Sequence, residues 1–363
     1  MRMPHTNNTK ITEGWTMDQT ILAVASGAAA PTPPHAAGRS GVEEGLERAF
    51  KTTVQQAPSS LREPCREHFK KRGKHLRGKL AYSAARQYGS SSQAASSWAA
   101  AVELLHNASL VHDDLCDKDS KRRGQQTTFR QYGEAVAVCL GDYLIAKAYE
   151  FAARAGAESL HLLSSSISAL VGGQAAEFAS AGYPAWSEYE QIAVSKTAPL
   201  LGMGVVGAAL INQQSAPEAE LEHYFYHAAL CFQMINDIRN FSGSDGAEAP
   251  CSDLANCRPN AVIASFTETL PKHLKARFSL WADKIRTGEI IADTVETREW
   301  WQRLCASDAF SDTAQRLHFH FNMASASLVR LPPNLQSVIN PLNQWLALEL
   351  TKTRHCMSKH RDN

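Results

Sequence analysis

Apolar residues recur three or four positions apart through most of the chain from Val42 onward, and no segment alternates as a strand does. Such spacing lines up one face of an α-helix, whereas a half-buried strand alternates at every second residue. Proline is mostly confined to the joints between these segments, and no repeat of fixed period occurs, so the sequence predicts a single all-α domain. The pattern is clearest at 42–50, 78–89, 96–114, 133–156 and 159–182.

The first 40 residues lack this helical pattern and end in a segment rich in proline, glycine and small residues. An apolar run at 21–30 has a weak likeness to a secretory signal, but the run is short and Asp18 lies in its flank. We therefore expect a mobile N-terminal leader at 1–40 and one helical domain at 41–363.

Composition and charge exclude several classes of function. The formal net charge of +1 over 363 residues gives no electrostatic reason to bind nucleic acid. No stretch approaches the roughly 18–20 uninterrupted apolar residues of a membrane span, so no span is predicted. The eight cysteines are scattered without a CxxC pair, which is typical of reduced thiols in a cytoplasmic protein.

Three carboxylates cluster at the end of one long helix, which the sequence predicts to run through residues 96–117. Residues four apart share a helix face, so Asp113 and Asp117 project side by side with Asp114 at their flank. Like charges at that spacing repel, and a buried, largely apolar helix does not ordinarily end in three carboxylates. A solvated surface, a basic partner or a metal ion could each stabilise them.

The charges that follow narrow these alternatives. Arg122 and Arg123 come soon after the carboxylates, and a guanidinium fork matches two oxygens of a phosphate group. A magnesium site for a phosphorylated ligand needs carboxylate oxygens that leave open coordination positions. The order of charges therefore favours a site for magnesium and phosphate at this helix end.

The region 103–150 resembles the first aspartate-rich region of the polyprenyl synthetase family, the trans-isoprenyl diphosphate synthases. It has a DDxxD helix end, then a paired Arg and a Gly, and then GEA and GD on the next helix. Further motifs occur in the order that the family has them, and the resemblance covers roughly residues 45–270. They are GKHLRGK at 73–79, GGQAAEF at 172–178, SKTAPLLG at 195–202 and FQMINDIRNF at 232–241.

The resemblance implies an isoprenoid synthase helical bundle around a central cavity, and a homodimer. Enzymes of this family join isopentenyl diphosphate to an allylic prenyl diphosphate. They ionise the allylic C–O bond, attack the cation with the isopentenyl double bond and remove a proton. Two or three Mg²⁺ ions and cationic side chains stabilise the departing diphosphate. By resemblance, this chain is a Mg²⁺-dependent prenyltransferase that makes a polyprenyl diphosphate.

The same motifs imply the site residues, position by position. Asp113 and Asp117 would bind magnesium, with Asp114 supporting them. His106 lies seven residues before Asp113, two turns along the same helix face. The implied catalytic set is Asp113, Asp114, Asp117, Arg122, Lys196 and Asp237. The allylic diphosphate would be held by Arg122, Lys196, Thr197 and Gln233, and isopentenyl diphosphate by Lys74, Arg77, His106 and Arg123.

The second aspartate-rich helix departs from the family pattern. Where the family has DDxxD, this chain has Asn236, Asp237 and Asn240, so both outer carboxylates are amides. By resemblance, all three would be metal ligands. An amide oxygen can bind Mg²⁺ but brings no charge, and hard cations bind more weakly as carboxylates are lost. In addition, Cys257 and Arg258 stand where the family often has Gly-Lys.

Three interpretations of this departure are open. The chain is an elongating synthase with a weakened third metal site, a terpene cyclase built on the synthase scaffold, or a noncatalytic subunit of a hetero-oligomeric synthase. Asn236, Asn240 and Ser244 have the spacing of a cyclase element, although Ser244 stands where the final Glu would be. A cyclase has no second diphosphate to hold. This chain, however, has all four residues that the resemblance assigns to isopentenyl diphosphate, namely Lys74, Arg77, His106 and Arg123. That favours elongation.

The side chains below the acidic cluster bear on product length. In the family, a bulky aromatic four or five positions before the first aspartate closes the tunnel for the growing chain. Here these positions are Ser109 and Ala108, both small. The sequence therefore predicts products of C20 or longer.

Overall fold

The computed structural model describes residues 36–70, 73–122, 124–179, 183–242, 251–290 and 295–359. The chain divides into two units, Met1–Gly41 and Val42–Asn363, and the candidate site belongs to the second. The leader predicted at 1–40 lies mostly outside the described residues, as do Arg123 and Ser244. The division into a leader and a domain at 41–363 therefore stays a prediction.

Helices make up nearly all of the described structure, as the apolar spacing predicts. The segments predicted at 96–114, 133–156 and 159–182 correspond to helices α4, α6 and α7 in the order that follows. The N-terminal helices are α1 Ala36–Gln56, α2 Ser59–Lys70, α3 Leu76–Gln87, α4 Ser92–Cys116, α5 Thr128–Tyr132, α6 Glu134–Ala155, α7 Ser159–Ala179 and α8 Trp186–Ile211. The C-terminal helices are α9 Glu218–Ser242, α10 Ser252–Ala255, α11 Ala261–Thr269, α12 Lys272–Arg286, α13 Val295–Cys305, α14 Ala309–Arg330 and α15 Pro333–Lys359.

Helix α4 lies in the interior of the bundle and carries the acidic cluster at its end. The Ser91 hydroxyl caps its start by accepting a hydrogen bond of 3.2 Å from the N–H of Ala94. Helices α3, α6 and α8 pack against it. Trp98 on α4 donates to the carbonyl of Gly204 on α8 at 2.8 Å. A Cβ at Gly207 would lie 2.2 Å from the Trp98 ring, so only glycine lets these two helices approach so closely.

A two-stranded antiparallel hairpin follows the acidic end of α4, and the helical pattern does not predict it. Its strands are β1 Lys121–Arg122 and β2 Gln125–Gln126, with Arg122 paired to Gln125. Gly124 in the turn has φ of +73°, a conformation that glycine adopts without steric cost. The hairpin reverses the chain and brings the Arg122 side chain back to the end of α4.

Helix α8 is long and apolar enough, by length and composition, to cross a membrane, with a mean hydropathy of 1.5. Half of its most apolar window is buried, and it packs against α3, α7 and α9. A helix enclosed by other helices is apolar on most faces, so this packing accounts for its composition. Two polar residues of α8, Lys196 and Thr197, lie where the helix borders the cavity described below.

The C-terminal helices close the bundle against α9. Helices α14 and α15 pack on α9, and α15 also contacts α3. Between α9 and α14, His227 and His320 are buried with their Nδ1 atoms 2.8 Å apart, and Nε2 of His320 lies 3.4 Å from Glu190 Oε1. Burial lowers the pKa of both histidines to about 4, so the pair is neutral at pH 7.

Candidate active site

A cavity of about 670 Å³ opens among helices α3, α4, α7, α8, α9 and α15. Its size is that of a typical site for a small organic molecule. Residues from distant parts of the chain meet in its wall, and many of them are the residues that the sequence motifs single out. These are Lys74, Arg77, His106, Asp113, Arg122, Lys196, Thr197, Gln233 and Asn236.

Asp113 at the end of α4 lines one end of this cavity, and Asp114 and Asp117 lie beside it at the same helix end without lining the cavity themselves. Burial raises the pKa of Asp113, against the opposing charges of Lys196 and Arg122. Burial also raises the pKa of Asp117 to about 6, opposed mainly by Arg258. These carboxylates are thus held in surroundings that disfavour their charge, and a cation beside them would stabilise the ionised form.

Asp114 is turned toward the hairpin rather than toward Asp113. It is buried, and Nε of Arg122 donates to its Oδ1 at 2.5 Å. Burial raises the pKa of Asp114 to about 6 in spite of this partner. Burial by itself would lower the pKa of Arg122, but Asp114 and its neighbours raise it, so the guanidinium stays charged. Asp114 therefore fixes Arg122 at the edge of the cavity, a supporting role.

The donor set fits magnesium as a partial coordination shell. Carboxylate oxygens are the hard ligands that Mg²⁺ prefers, and it retains positions for water and phosphate oxygens. Among the described residues, no group of three or more His, Cys, Asp and Glu side chains is placed to hold a metal ion alone. Asp113 and Asp117 would therefore hold Mg²⁺ together with oxygens of a bound diphosphate.

Lys196 reaches the acidic end from helix α8. Its Nζ forms an ion pair with Oε2 of Glu177 on α7. Burial lowers the pKa of Lys196, but Glu177 and Asp113 raise it by more, so the ammonium stays charged. A Cβ at Gly173 would lie 2.7 Å from Ser195 Cβ, so glycine lets α7 approach α8 and form this pair. Glu177 lies in the motif GGQAAEF, but its pairing with Lys196 depends on the packing of α7 against α8 and is not visible in the motif itself.

Arg258 joins the acidic cluster from the loop that precedes α11. Its Nη2 donates to the carbonyl oxygen of Asp117 at 2.5 Å and to Oδ1 of Asp119 at 2.9 Å, and its Nε lies 3.8 Å from Oδ1 of Asp117. A cation at the C-terminal end of a helix also complements the helix dipole. Arg258 therefore stabilises the C-terminal end of α4. In the sequence, Arg258 stands out only because it occupies a position where the family often has Lys.

The three polar residues of the second motif point in different directions. Asn236 lines the cavity. Asp237 is 2% exposed, and its oxygens accept hydrogen bonds from the Tyr189 hydroxyl at 2.6 Å, the Gln233 amide at 2.9 Å and the N–H of Ala261 at 2.8 Å. Burial raises its pKa to about 6, against these hydrogen bonds. Asp237 thus anchors the start of α11 to α9.

Asn240 is likewise occupied by the loop that follows α9. It is 3% exposed, its amide donates to Ser252 Oγ at 2.7 Å, and its carbonyl oxygen accepts from the N–H of Asp253 at 3.1 Å. The geometry therefore gives no support to Asp237 as a catalytic residue or to Asp237 and Asn240 as metal ligands. Their polar atoms hold α10 and α11 in place, and of the three only Asn236 is among the described residues that line the cavity.

The cationic end of the cavity lies where α3 begins. Arg77 Nη1 and His106 Nε2 are 3.3 Å apart. Glu103, buried on α4, accepts from the N–H of Gly78 at 2.8 Å and lies 3.4 Å from His75 Nδ1. His75 has φ of +50°, and this left-handed turn starts the helix that carries Arg77. Glu103 thereby positions the cationic end, a role that no sequence motif indicates.

The two small residues below the acidic cluster differ in position. Ser109 lines the cavity, beside the apolar side chains of Leu110, Leu170 and Leu200. Ala108 is instead 1% exposed within the core of the bundle. Of the two, Ser109 is therefore the position that leaves space for a hydrocarbon chain.

A helical bundle whose cavity joins buried carboxylates to cationic side chains is the architecture of the isoprenoid synthase class. A model of the polyprenyl synthetase family matches residues 58–286. The chain therefore belongs to the polyprenyl synthetase family, and the predicted all-α isoprenoid synthase fold is confirmed.

Individual relatives agree with this family. The chain is 31% identical over 208 residues to a short chain isoprenyl diphosphate synthase of Methanocaldococcus jannaschii, covering 54% of this chain and 64% of that protein. It is 33% identical over 205 residues to a farnesyl diphosphate synthase of Bacillus subtilis, covering 52% of this chain and 69% of that protein. The chain thus spans less than two thirds of the first of these relatives.

Solved structures share the fold over most of the chain. A decaprenyl diphosphate synthase of Rhodobacter capsulatus has a TM-score of 0.73 at 17% identity, covering 93% of this chain and 99% of that one. A polyprenyl synthase of Caulobacter crescentus, complexed with calcium and isoprenyl diphosphate, has a TM-score of 0.72 at 22% identity, covering 85% and 94%. These likenesses extend through the C-terminal helices that lie beyond the family match.

Proposed function

We propose that the protein is a Mg²⁺-dependent prenyltransferase that condenses isopentenyl diphosphate with an allylic prenyl diphosphate. One observation carries this proposal, namely that a single cavity has two cationic regions. Arg122 and Lys196 lie beside the carboxylates of α4, whereas Arg77 contacts His106 and Lys74 lies over Trp345 elsewhere in the cavity wall. Two diphosphates each need cationic partners, so two such regions fit two substrates.

The residues of the acidic end would hold the allylic diphosphate and its leaving group. Lys196 and Arg122 keep their charge through Glu177 and Asp114, so both are ready to bind phosphate oxygens. Thr197 and Gln233 border the same space and supply neutral donors. Mg²⁺, when bound at Asp113 and Asp117, supplies Lewis-acid stabilisation of the developing charge on the diphosphate.

The cationic end would hold isopentenyl diphosphate with its double bond toward the allylic carbon. Lys74, Arg77 and His106 are the described residues for this role, and Arg123 remains a proposal that rests on sequence alone. Leu110, Leu170 and Leu200 line the same cavity and would limit the access of water to a carbocation before the double bond attacks. The presence of these cationic side chains supports elongation over a cyclase, which needs a single diphosphate site.

The metal content follows from the second motif. Asp237 and Asn240 are engaged with α10 and α11, which leaves the neutral oxygen of Asn236 on that side of the cavity. Because Mg²⁺ binding weakens as carboxylates are lost, we propose two ions held by Asp113 and Asp117 in place of the two or three of the sequence prediction. Lys196 and Asn236 would supply the remaining stabilisation of the diphosphate.

Three further proposals concern the length of the product, the oligomeric state and the cellular location. Ser109 in the cavity wall supports a product of C20 or longer. Val138 on α6 and Val171 and Phe178 on α7 are exposed apolar side chains, which supports burial of this face in a homodimer. The cysteines of the described residues are free thiols, which supports a cytoplasmic location.

The proposal is tested by transfer of label from isopentenyl diphosphate into an extractable lipid product, with farnesyl diphosphate and Mg²⁺ present. Asp113→Ala should reduce the rate by at least a hundredfold, because it removes a metal ligand and leaves the leaving group uncompensated. Asp308→Ala serves as the control, since Asp308 is exposed just before α14 and makes no side-chain capping hydrogen bond. Equal rates for the two variants would overturn the assignment of the acidic cluster.

A further inference from the structure

The cationic end of the cavity has a wall that lies outside the family match. That match ends at residue 286, whereas Trp345 on α15 lines the cavity. Helix α15 packs against α3 and α9, which brings Trp345 next to residues of both. No sequence motif indicates a role for Trp345, because only the fold brings the C-terminal helix to the site.

Trp345 contacts the cationic end through ring faces. Nζ of Lys74 lies 5.5 Å from the centre of the Trp345 ring, and Cζ of Arg77 lies 5.5 Å from the centre of the Phe232 ring. The two rings are themselves 5.6 Å apart and tilted by 36°. Each of the two cations expected to bind isopentenyl diphosphate therefore rests on one ring of an aromatic pair.

This arrangement offsets the repulsion between the two cations of a diphosphate site. Two cations close enough to share one anion repel each other before the anion arrives. Aromatic faces attract cations without neutralising them, so the pair keeps both charges in position while leaving their hydrogen-bond donors available. A carboxylate in place of the rings would hold the cations but would also compete with the substrate.

The ring of Trp345 is held by packing alone. Its Nε1 is buried and has no hydrogen-bond partner within the described residues. Its described ring contacts are the tilted pair with Phe232 and the contact with Lys74, beside its packing against the core. A change in the position of Lys74 on substrate binding would therefore alter the surroundings of the indole.

We propose that Trp345 is a positioning residue for Lys74 at the isopentenyl diphosphate site, acting with Phe232 as an aromatic base for the two cations. The inference rests on the proposed function, because it takes the ligand of Lys74 to be isopentenyl diphosphate. Loss of the ring should weaken the binding of this substrate and leave the allylic diphosphate, held at the other end, unaffected.

Isothermal titration of the full-length protein with isopentenyl diphosphate, and separately with farnesyl diphosphate and Mg²⁺, tests the inference. Trp345→Ala should raise the Kd for isopentenyl diphosphate about tenfold, Trp345→Phe should raise it by less, and neither should change the Kd for farnesyl diphosphate more than about twofold. In turnover, KM for isopentenyl diphosphate should rise while kcat stays near that of the wild type. Trp301→Phe is the matched control, because the Trp301 ring also lies against that of a phenylalanine, Phe241, with ring centres 5.4 Å apart.

Tryptophan fluorescence gives a second measurement that does not depend on activity. The chain has seven tryptophans, and isopentenyl diphosphate should change the emission of the wild type and of Trp301→Phe but not of Trp345→Phe. If Trp345→Ala does not fold, the fluorescence of the wild type, Trp301→Phe and Trp345→Phe tests the role of Trp345 without it. A wild type that does not bind isopentenyl diphosphate overturns the proposed function. Binding that is equal in the wild type and the Trp345 variants, with an unchanged fluorescence response, overturns only the role of Trp345.

Discussion

Asn236 and Asn240 have the same side chain on the same helix, but the structure gives them opposite surroundings. Asn236 lines the cavity, whereas Asn240 is 3% exposed and both its amide nitrogen and its amide oxygen form hydrogen bonds. We therefore expect Asn236→Asp to tighten the binding of divalent cations and Asn240→Asp to destabilise the fold instead. A sequence argument that treats both as metal ligands expects the same effect from both.

The magnitudes follow from these surroundings. Asn236→Asp adds a carboxylate to the open side of the cavity, and we expect the affinity for a divalent cation to rise about tenfold, or ~1.4 kcal/mol. Asn240→Asp places a charge where water does not reach and removes the donor to Ser252 Oγ, although the serine hydroxyl can turn and donate instead. The remaining cost is desolvation, about 1–3 kcal/mol, which lowers Tm by roughly 2–10 °C.

The assay for cations is a titration with Mn²⁺ in the presence of inorganic pyrophosphate, followed by electron paramagnetic resonance, and thermal unfolding gives Tm. Asn334→Asp serves as the control, because Asn334 is exposed on α15 and should change neither quantity. The reasoning is refuted if Asn240→Asp tightens Mn²⁺ binding as much as Asn236→Asp does, or if Asn240→Asp leaves Tm unchanged.

Two further predictions concern the cavity wall and the buried histidine pair. Ser109→Phe should shorten the prenyl product, because the ring would fill the space that Ser109 leaves; chromatography of the dephosphorylated products would show this, and an unchanged chain length would count against a tunnel here. The pKa values of His227 and His320 are about 4 when folded, against an ordinary 6.5, so the unfolded chain binds more protons between these values. Stability should therefore fall as pH drops from about 7 to 4, by roughly 3 kcal/mol for each histidine. Urea unfolding at pH 7.5 and 4.5 should show a smaller loss in His320→Asn than in the wild type, and equal losses would contradict the assignment.

Local sequence patterns predicted those parts of the site that lie on a single helix. The spacing of His106 and Asp113, two turns apart on one face, places both side chains on the cavity, as the structure shows. Lys196 and Thr197 could be placed because their motif lies on a helix that borders the same space. The helix period of 3.6 residues supported the first inference, whereas the second rested on the resemblance of the motif at 195–202 to the family.

The sequence could not show that polar side chains near the end of α9 form hydrogen bonds with the segment that follows the helix. Asp237 and Asn240 have the residue types of ligands, but their partners Ala261, Ser252 and Asp253 become neighbours only when the chain folds back. Trp345 was missed for a similar reason, because it reaches the cavity from more than 100 residues beyond Phe232. Long-range packing, rather than local pattern, decides which polar residues face the substrate.

The most direct test of the central claim is the identity of the product that the purified protein makes from farnesyl diphosphate and Mg²⁺, with and without isopentenyl diphosphate. We predict a longer prenyl diphosphate, formed only when isopentenyl diphosphate is present, because the cavity has cationic partners for two diphosphates. A hydrocarbon or an alcohol made from farnesyl diphosphate alone would contradict this and identify a cyclase. The absence of any product from several allylic lengths would contradict it as well and indicate a subunit that needs a partner.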